Sequence, residues 1–178
     1  MKRFAVLALV VGLFAGAATA GDFDLSGMKS KVPAGWKEEQ PSSTMRMGQF
    51  KLSKVEGDPE DAEIAIFYFK GGSGSVEANL KRQLAKFKPA EGKTEPENKV
   101  DKIKVGKVEA TLQDVKGVFL SKFPPFAPNA KITEKANFRQ LYVVFTTDSG
   151  EYYLTLLGPA KTVDKYKKEF EEWLTNFK

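Results

Sequence analysis

The sequence predicts an α+β fold, a mainly antiparallel sheet of about seven strands flanked by helices. Three observations carry this. Short apolar or alternating runs, separated by glycine and proline turn signals, recur along the chain as hairpin strands do. Two stretches, starting near Val76 and near Thr162, hold apolar residues at helical spacing. Histidine and cysteine are both absent, so disulfides, imidazole or thiolate metal cages and histidine-dependent nucleophiles do not organise this chain.

The first residues are Met1, Lys2 and Arg3, then an uncharged apolar stretch from Phe4 to Ala17, then Ala18-Thr19-Ala20 ahead of Gly21. A basic start, an apolar segment short of the roughly 20 residues that span a bilayer, and small residues before the scissile bond make up a secretory signal. The expected organisation is a signal peptide over residues 1–20, cleaved after Ala20, and one domain over residues 21–178. Export to the periplasm or the extracellular space is the consequence, with no stable membrane insertion after cleavage. Removing Lys2 and Arg3 lowers the formal charge from +5 to +3. So small and dispersed an excess gives no electrostatic argument for nucleic acid or an anionic bilayer.

Residues 21–31 read as a polar lead, and Val32-Pro33-Ala34-Gly35 as a turn before a short extended piece from Trp36 to Pro41. Residues 45–52 read as a strand whose halves differ in register, Met45 and Met47 against Phe50 and Leu52. A bulge is expected near Gly48. Residues 64–69 are apolar on both faces and belong at the sheet's centre. Ser75 is placed to cap a helix from Val76 to about Phe87, with Val76, Leu80, Leu84 and Phe87 as its buried stripe. After a polar connector, Ile103 and Val105, then Val108, Ala110 and Leu112, alternate around Gly106 as a tight hairpin running on toward Phe119. A long loop is expected from Ser121 to Asn137. Residues 138–146 and 151–157 flank Asp148-Ser149-Gly150 as the clearest hairpin. A closing helix from about Thr162 places Val163, Tyr166, Phe170, Trp173, Leu174 and Phe177 on one stripe, with Asp164 and Lys168 spaced to pair.

Several phrases carry a family resemblance: Pro33-x-Gly35-Trp36, the run from Pro41 to Arg46, the run from Phe67 to Asn79, Asp114 to Gly117, and Gly158 to Val163. They resemble a family of uncharacterised exported bacterial proteins of the planctomycete type. The Pro-x-Gly-Trp opening, the mid-chain hairpin and the final helix ending in an aromatic and a lysine are also similar to the wider PsbP/Mog1-like group. The resemblance implies an α/β sandwich, a mainly antiparallel sheet between helices. Photosystem members of that group have histidines at proposed metal positions; with no histidine here, that role is not transferred, and no catalytic residue is.

Two segments contain residues that no packing pattern requires. Gly72, Gly74 and Ser75 lie between a strand and a helix N-terminus, where backbone N–H groups can hold an anion. The lysine of a P-loop and the third glycine of a dinucleotide fingerprint are both missing, so a plain capped turn is the competing reading. Phe123 and Phe126 sit on a proline frame in the expected long loop, either for partner contact or to cover the sheet's end. The acids from Glu56 to Glu63 lack EF-hand spacing and read as a solvated loop, so no metal and no cofactor is expected. The expected function is a non-catalytic binding or accessory module for a protein or small molecule in the envelope; the alternative is a periplasmic hydrolase working with carboxylates alone.

Overall fold

The computed structural model describes residues 21–124 and 127–178. The expected signal peptide and Phe126 lie outside the described residues. The first described element corrects the polar lead. Strands β1 (Asp22–Leu25) and β2 (Met28–Lys31) form a hairpin. Ser26 and Gly27 turn it at φ of 50° and 101°, the two positive values that a tight two-residue turn requires. Leu25 enters the core, and Ser30 Oγ donates to the Trp173 carbonyl at 3.0 Å.

The strands β3 (Lys37–Glu38), β4 (Arg46–Leu52) and β5 (Ala62–Phe69) begin the main sheet. Its middle and far side come from β6 (Phe87–Lys88), β7 (Glu97–Val105), β8 (Val108–Phe123), β9 (Lys131–Thr147) and β10 (Gly150–Pro159). The order is β3-β4-β5-β10-β9-β8-β6, with β7 also on β8, and every pairing is antiparallel. The register shifts between Arg46 and Gly48, where the bulge was expected. The fold class is as predicted, though the strands number more than seven.

The helices α1 (Val76–Leu84) and α2 (Ala160–Thr175) lie on opposite faces. All six residues of the α2 stripe are buried, and they pack with Trp36, Phe50 and the inward residues of β5, β9 and β10 in the principal core. Among the described residues, every core residue lies from Leu25 onward, so a chain starting at Gly21 keeps all of the described core. Three expectations are corrected. Helix α1 stops at Leu84, and Phe87 is buried as a strand residue opposite Phe119; Val76 is exposed, and the buried residue of α1 is Asn79, 3% accessible, whose amide satisfies the turn carbonyls of Ser75 and Gly74. The long loop is mostly strand, because β8 runs to Phe123 and β9 starts at Lys131. Asp164 pairs with Arg139 across to the sheet rather than with Lys168, which meets Glu172.

Candidate functional site

The site is a product of unequal strand lengths. Strand β10 pairs with β9 only as far as Pro159 opposite Phe138, where the chain turns into α2. The β8–β9 pair continues past that point to Phe123 opposite Lys131. A register shift between Gly117 and Phe119, with Asn137 at a φ of 56°, re-aims this ribbon. Helix α1 spans nine residues and covers the other end of the same face through Leu80. The space left between the ribbon and the 54–61 turn is a cleft of about 550 Å³.

Its floor is apolar: Phe119 and Phe138, stacked at 5.9 Å between ring centroids, with Leu157 and Ala62. Its rim is charged and internally paired. Lys51 Nζ meets Asp61 at 3.1 Å, Lys135 Nζ meets Glu60 at 2.5 Å, and Arg46 beside the cleft meets Glu63 at 2.8 Å. Lys135 also stands 5.3 Å over the Phe138 ring, joining rim to floor. The backbone N–H of Lys54, then the Lys51 ammonium, hold the Asp61 carboxyl below the usual carboxylate range. The hydrogen bond to Asp61, then the charges of Asp61 and Glu39, hold Lys51 above the ordinary ammonium value. A carboxylate held ionised in this way accepts hydrogen bonds and counter-charge but is a poor proton donor at neutral pH. Among the described residues no group of acids has the arrangement of a metal site.

The residues singled out from the sequence separate. Ser75 caps α1, its Oγ accepting from the Ala78 N–H at 3.2 Å. Gly72 stands at a φ of 74°, and a Cβ there would lie 2.8 Å from the Glu151 carboxylate. That carboxylate already takes the Ser73 N–H at 3.1 Å and the Tyr153 hydroxyl, so the turn holds an anion of its own chain. Burial, then the hydrogen bond to Glu151, raises the Tyr153 hydroxyl above its ordinary pKa. Gly74, at a φ of 99°, has open space where a side chain would be. Phe123 is 77% exposed at the ribbon tip. It follows Phe119 and Ser121 on one face of β8, and both of those line the cleft. The glycine turn lies by Glu151, at the other end of β9, on the order of 50 Å from Phe123 at about 3.3 Å per residue. Sequence reasoning missed Lys51, Asp61, Lys135, Phe138 and Leu157, since only the sheet register brings them together.

No protein-family model and no curated protein matches the chain. Among solved structures, the solution structure of cyanobacterial PsbP (CyanoP) from Synechocystis sp. PCC 6803 matches with a TM-score of 0.55 at 13% identity, over 96% of this chain and 98% of that one. The crystal structure of PA94, a protein of unknown function from Pseudomonas aeruginosa, matches with a TM-score of 0.47 at 14% identity, over 89% and 95%. The CyanoP likeness shows a PsbP-like fold, and the fold alone.

Proposed function

We propose that this chain is an exported, non-catalytic binding or accessory module, and that its cleft receives a protein segment or small molecule of the envelope. One observation carries the reading: an apolar floor under a rim on which Glu60, Asp61 and Glu63 are paired with lysines and an arginine, beside Glu39. Such a surface suits a ligand with an apolar part and charges of both signs at its margins. Carboxylate-only hydrolysis needs one acid held protonated beside another held ionised, and Asp61 at the cleft's rim is held ionised by the Lys54 N–H and the Lys51 ammonium. Export enters as part of the same proposal, with cleavage between Ala20 and Gly21.

The cleft is tested by Ser121→Trp, which puts a large ring at its mouth from a half-buried position. Immobilised wild type is expected to capture a saturable component of an envelope extract that the variant does not, while both melt within a few degrees of each other. Equal capture by the two proteins, at equal stability, would remove the cleft from the binding role. N-terminal sequencing of the protein from the envelope fraction checks cleavage; a chain still beginning at Met1 overturns it.

A further inference from the structure

We propose that the tip of the β8–β9 ribbon docks onto the surface of an anionic lipid bilayer. Among the described residues, past the pairing of Phe119 with Phe87 β8 has no outer strand neighbour, and before Phe138 β9 has none on its β10 side. Leu120 still donates its N–H to the Lys86 carbonyl at 2.8 Å, and from Ser121 to Phe123 the ribbon stands as two strands only, reaching roughly 10 Å at about 3.3 Å per residue. That length matches the ~5–10 Å depth at which interfacial segments rest.

The tip's side chains select the occupant. Phe123 is 77% and Ile132 51% exposed. Facing residues of an antiparallel pair share a side and neighbours alternate, so Phe123 and Lys131 occupy one side of the ribbon and Lys122 and Ile132 the other. Each side therefore carries one large apolar group and one exposed lysine. Apolar and cationic groups on both sides of the tip suit an interface that surrounds it. The sequence from Ser121 to Thr133 holds no acid, and the next, Glu134, is tied to Lys88. The apolar pair can enter the acyl boundary while the two ammonium groups reach lipid phosphates. The chain's dispersed net charge gives no such argument; the local arrangement does.

The test uses the chain from Gly21, which keeps all of the described core and lacks the apolar residues 4–17. Its sedimentation is measured with vesicles of phosphatidylcholine alone and of phosphatidylcholine mixed with phosphatidylglycerol. Wild type is expected to pellet with the mixed vesicles and to be released as salt rises, because lysine attraction is screened. Phe123→Ser combined with Ile132→Ser should lower partitioning about tenfold or more, and Lys122→Glu with Lys131→Glu should abolish the preference for anionic lipid. Melting temperatures, measured alongside, should match wild type because all four side chains are exposed. Wild type staying in the supernatant with both vesicle types overturns the proposal and leaves the tip to a protein partner. So does a loss below about threefold in the Phe123/Ile132 variant, or equal binding to both vesicle types. Neither result bears on cleft capture by the Ser121→Trp comparison.

Discussion

Trp173 offers the sharpest test of how α2 holds the fold. It is 2% exposed and touches five other aromatic rings, Phe23, Trp36, Phe50, Phe170 and Phe177, with centroids 5.0 to 6.3 Å away. Truncating a buried Trp or Phe to alanine commonly costs about 3–5 kcal/mol, because the ring leaves a cavity that its neighbours fill only in part. The indole N–H of Trp173 has no hydrogen-bond partner. A buried donor left unsatisfied costs about 1–3 kcal/mol, and alanine removes that penalty together with the ring. Trp173→Ala should therefore fall near 3 kcal/mol, the low end of the range, and Phe170→Ala, which has no such donor to relieve, should cost at least as much. Trp173→Phe keeps a ring in the cluster and discards the orphan N–H, so it should cost under about 1.5 kcal/mol. Urea unfolding followed by far-UV circular dichroism measures all three, since removing one of two tryptophans alters the fluorescence baseline. For a domain of this size, 3 kcal/mol corresponds to roughly 6–12 °C in Tm. Exposed Glu172→Ala, the control, should stay within about 0.5 kcal/mol. If Trp173→Ala costs clearly more than Phe170→Ala, the unsatisfied N–H is not a penalty and the reasoning fails.

Three further outcomes are expected. Arg139 makes a two-pronged bond to Asp114 and a third contact to Asp164, so Arg139→Met should cost about 3–5 kcal/mol by stranding Asp114; adding Asp114→Leu should restore most of that in the same urea measurement. Gly106 stands at a φ of 57° with the Phe177 carbonyl where a Cβ would go, so Gly106→Ala should lose about 1–3 kcal/mol, whereas Gly57→Ala, at a φ of 85° over open space, should lose only roughly 1 kcal/mol. Burial, then the neighbouring Tyr153, raises the Tyr142 hydroxyl above its ordinary value. Its folded pKa exceeds the unfolded one, so this stability is complete below about pH 10 and is lost as pH rises above it, when only the unfolded tyrosine ionises. Ultraviolet titration should show Tyr142 ionising only with unfolding, and Tyr142→Phe should flatten the alkaline loss of stability.

Most of the fold was legible wherever a strand or helix has at least one dry side. The α2 stripe, the central strand containing Ile64 and Ile66, the Gly48 bulge and both hairpins stand where apolar spacing placed them. Legibility failed where neither side is dry. Residues 131–137 face solvent almost throughout as part of a two-stranded ribbon, so no alternation marks them as strand. The hairpin from Asp22 to Lys31 failed differently: its Ser26-Gly27 turn signal was present, but the polar residues around Leu25 hid two paired strands, the second of which exchanges backbone bonds with Lys178 just past α2.

The candidate site was legible by composition and illegible by partnership. Gly72, Ser75 and Phe123 stood out for one reason, that no local packing pattern called for them. The structure divides that class. Gly72 is needed because the Glu151 carboxylate comes up against the chain from a strand far along the sequence, and Ser75 because Ala78 presents a helix N–H without an intrahelical partner. Phe123 has no counterpart of either kind among the described residues and is exposed on the same ribbon side as Phe119 and Ser121. The cleft residues show the reverse. Lys51, Asp61 and Lys135 sit in runs that read as ordinary solvated charge, and become a rim only when antiparallel register sets Lys51 beside Glu63 and the ribbon carries Lys135 over to Glu60. A single sequence specifies which residues are chemically able to bind. Which of them already have an internal partner is decided by strand register, and that is what separates a structural turn from a surface still open to a ligand.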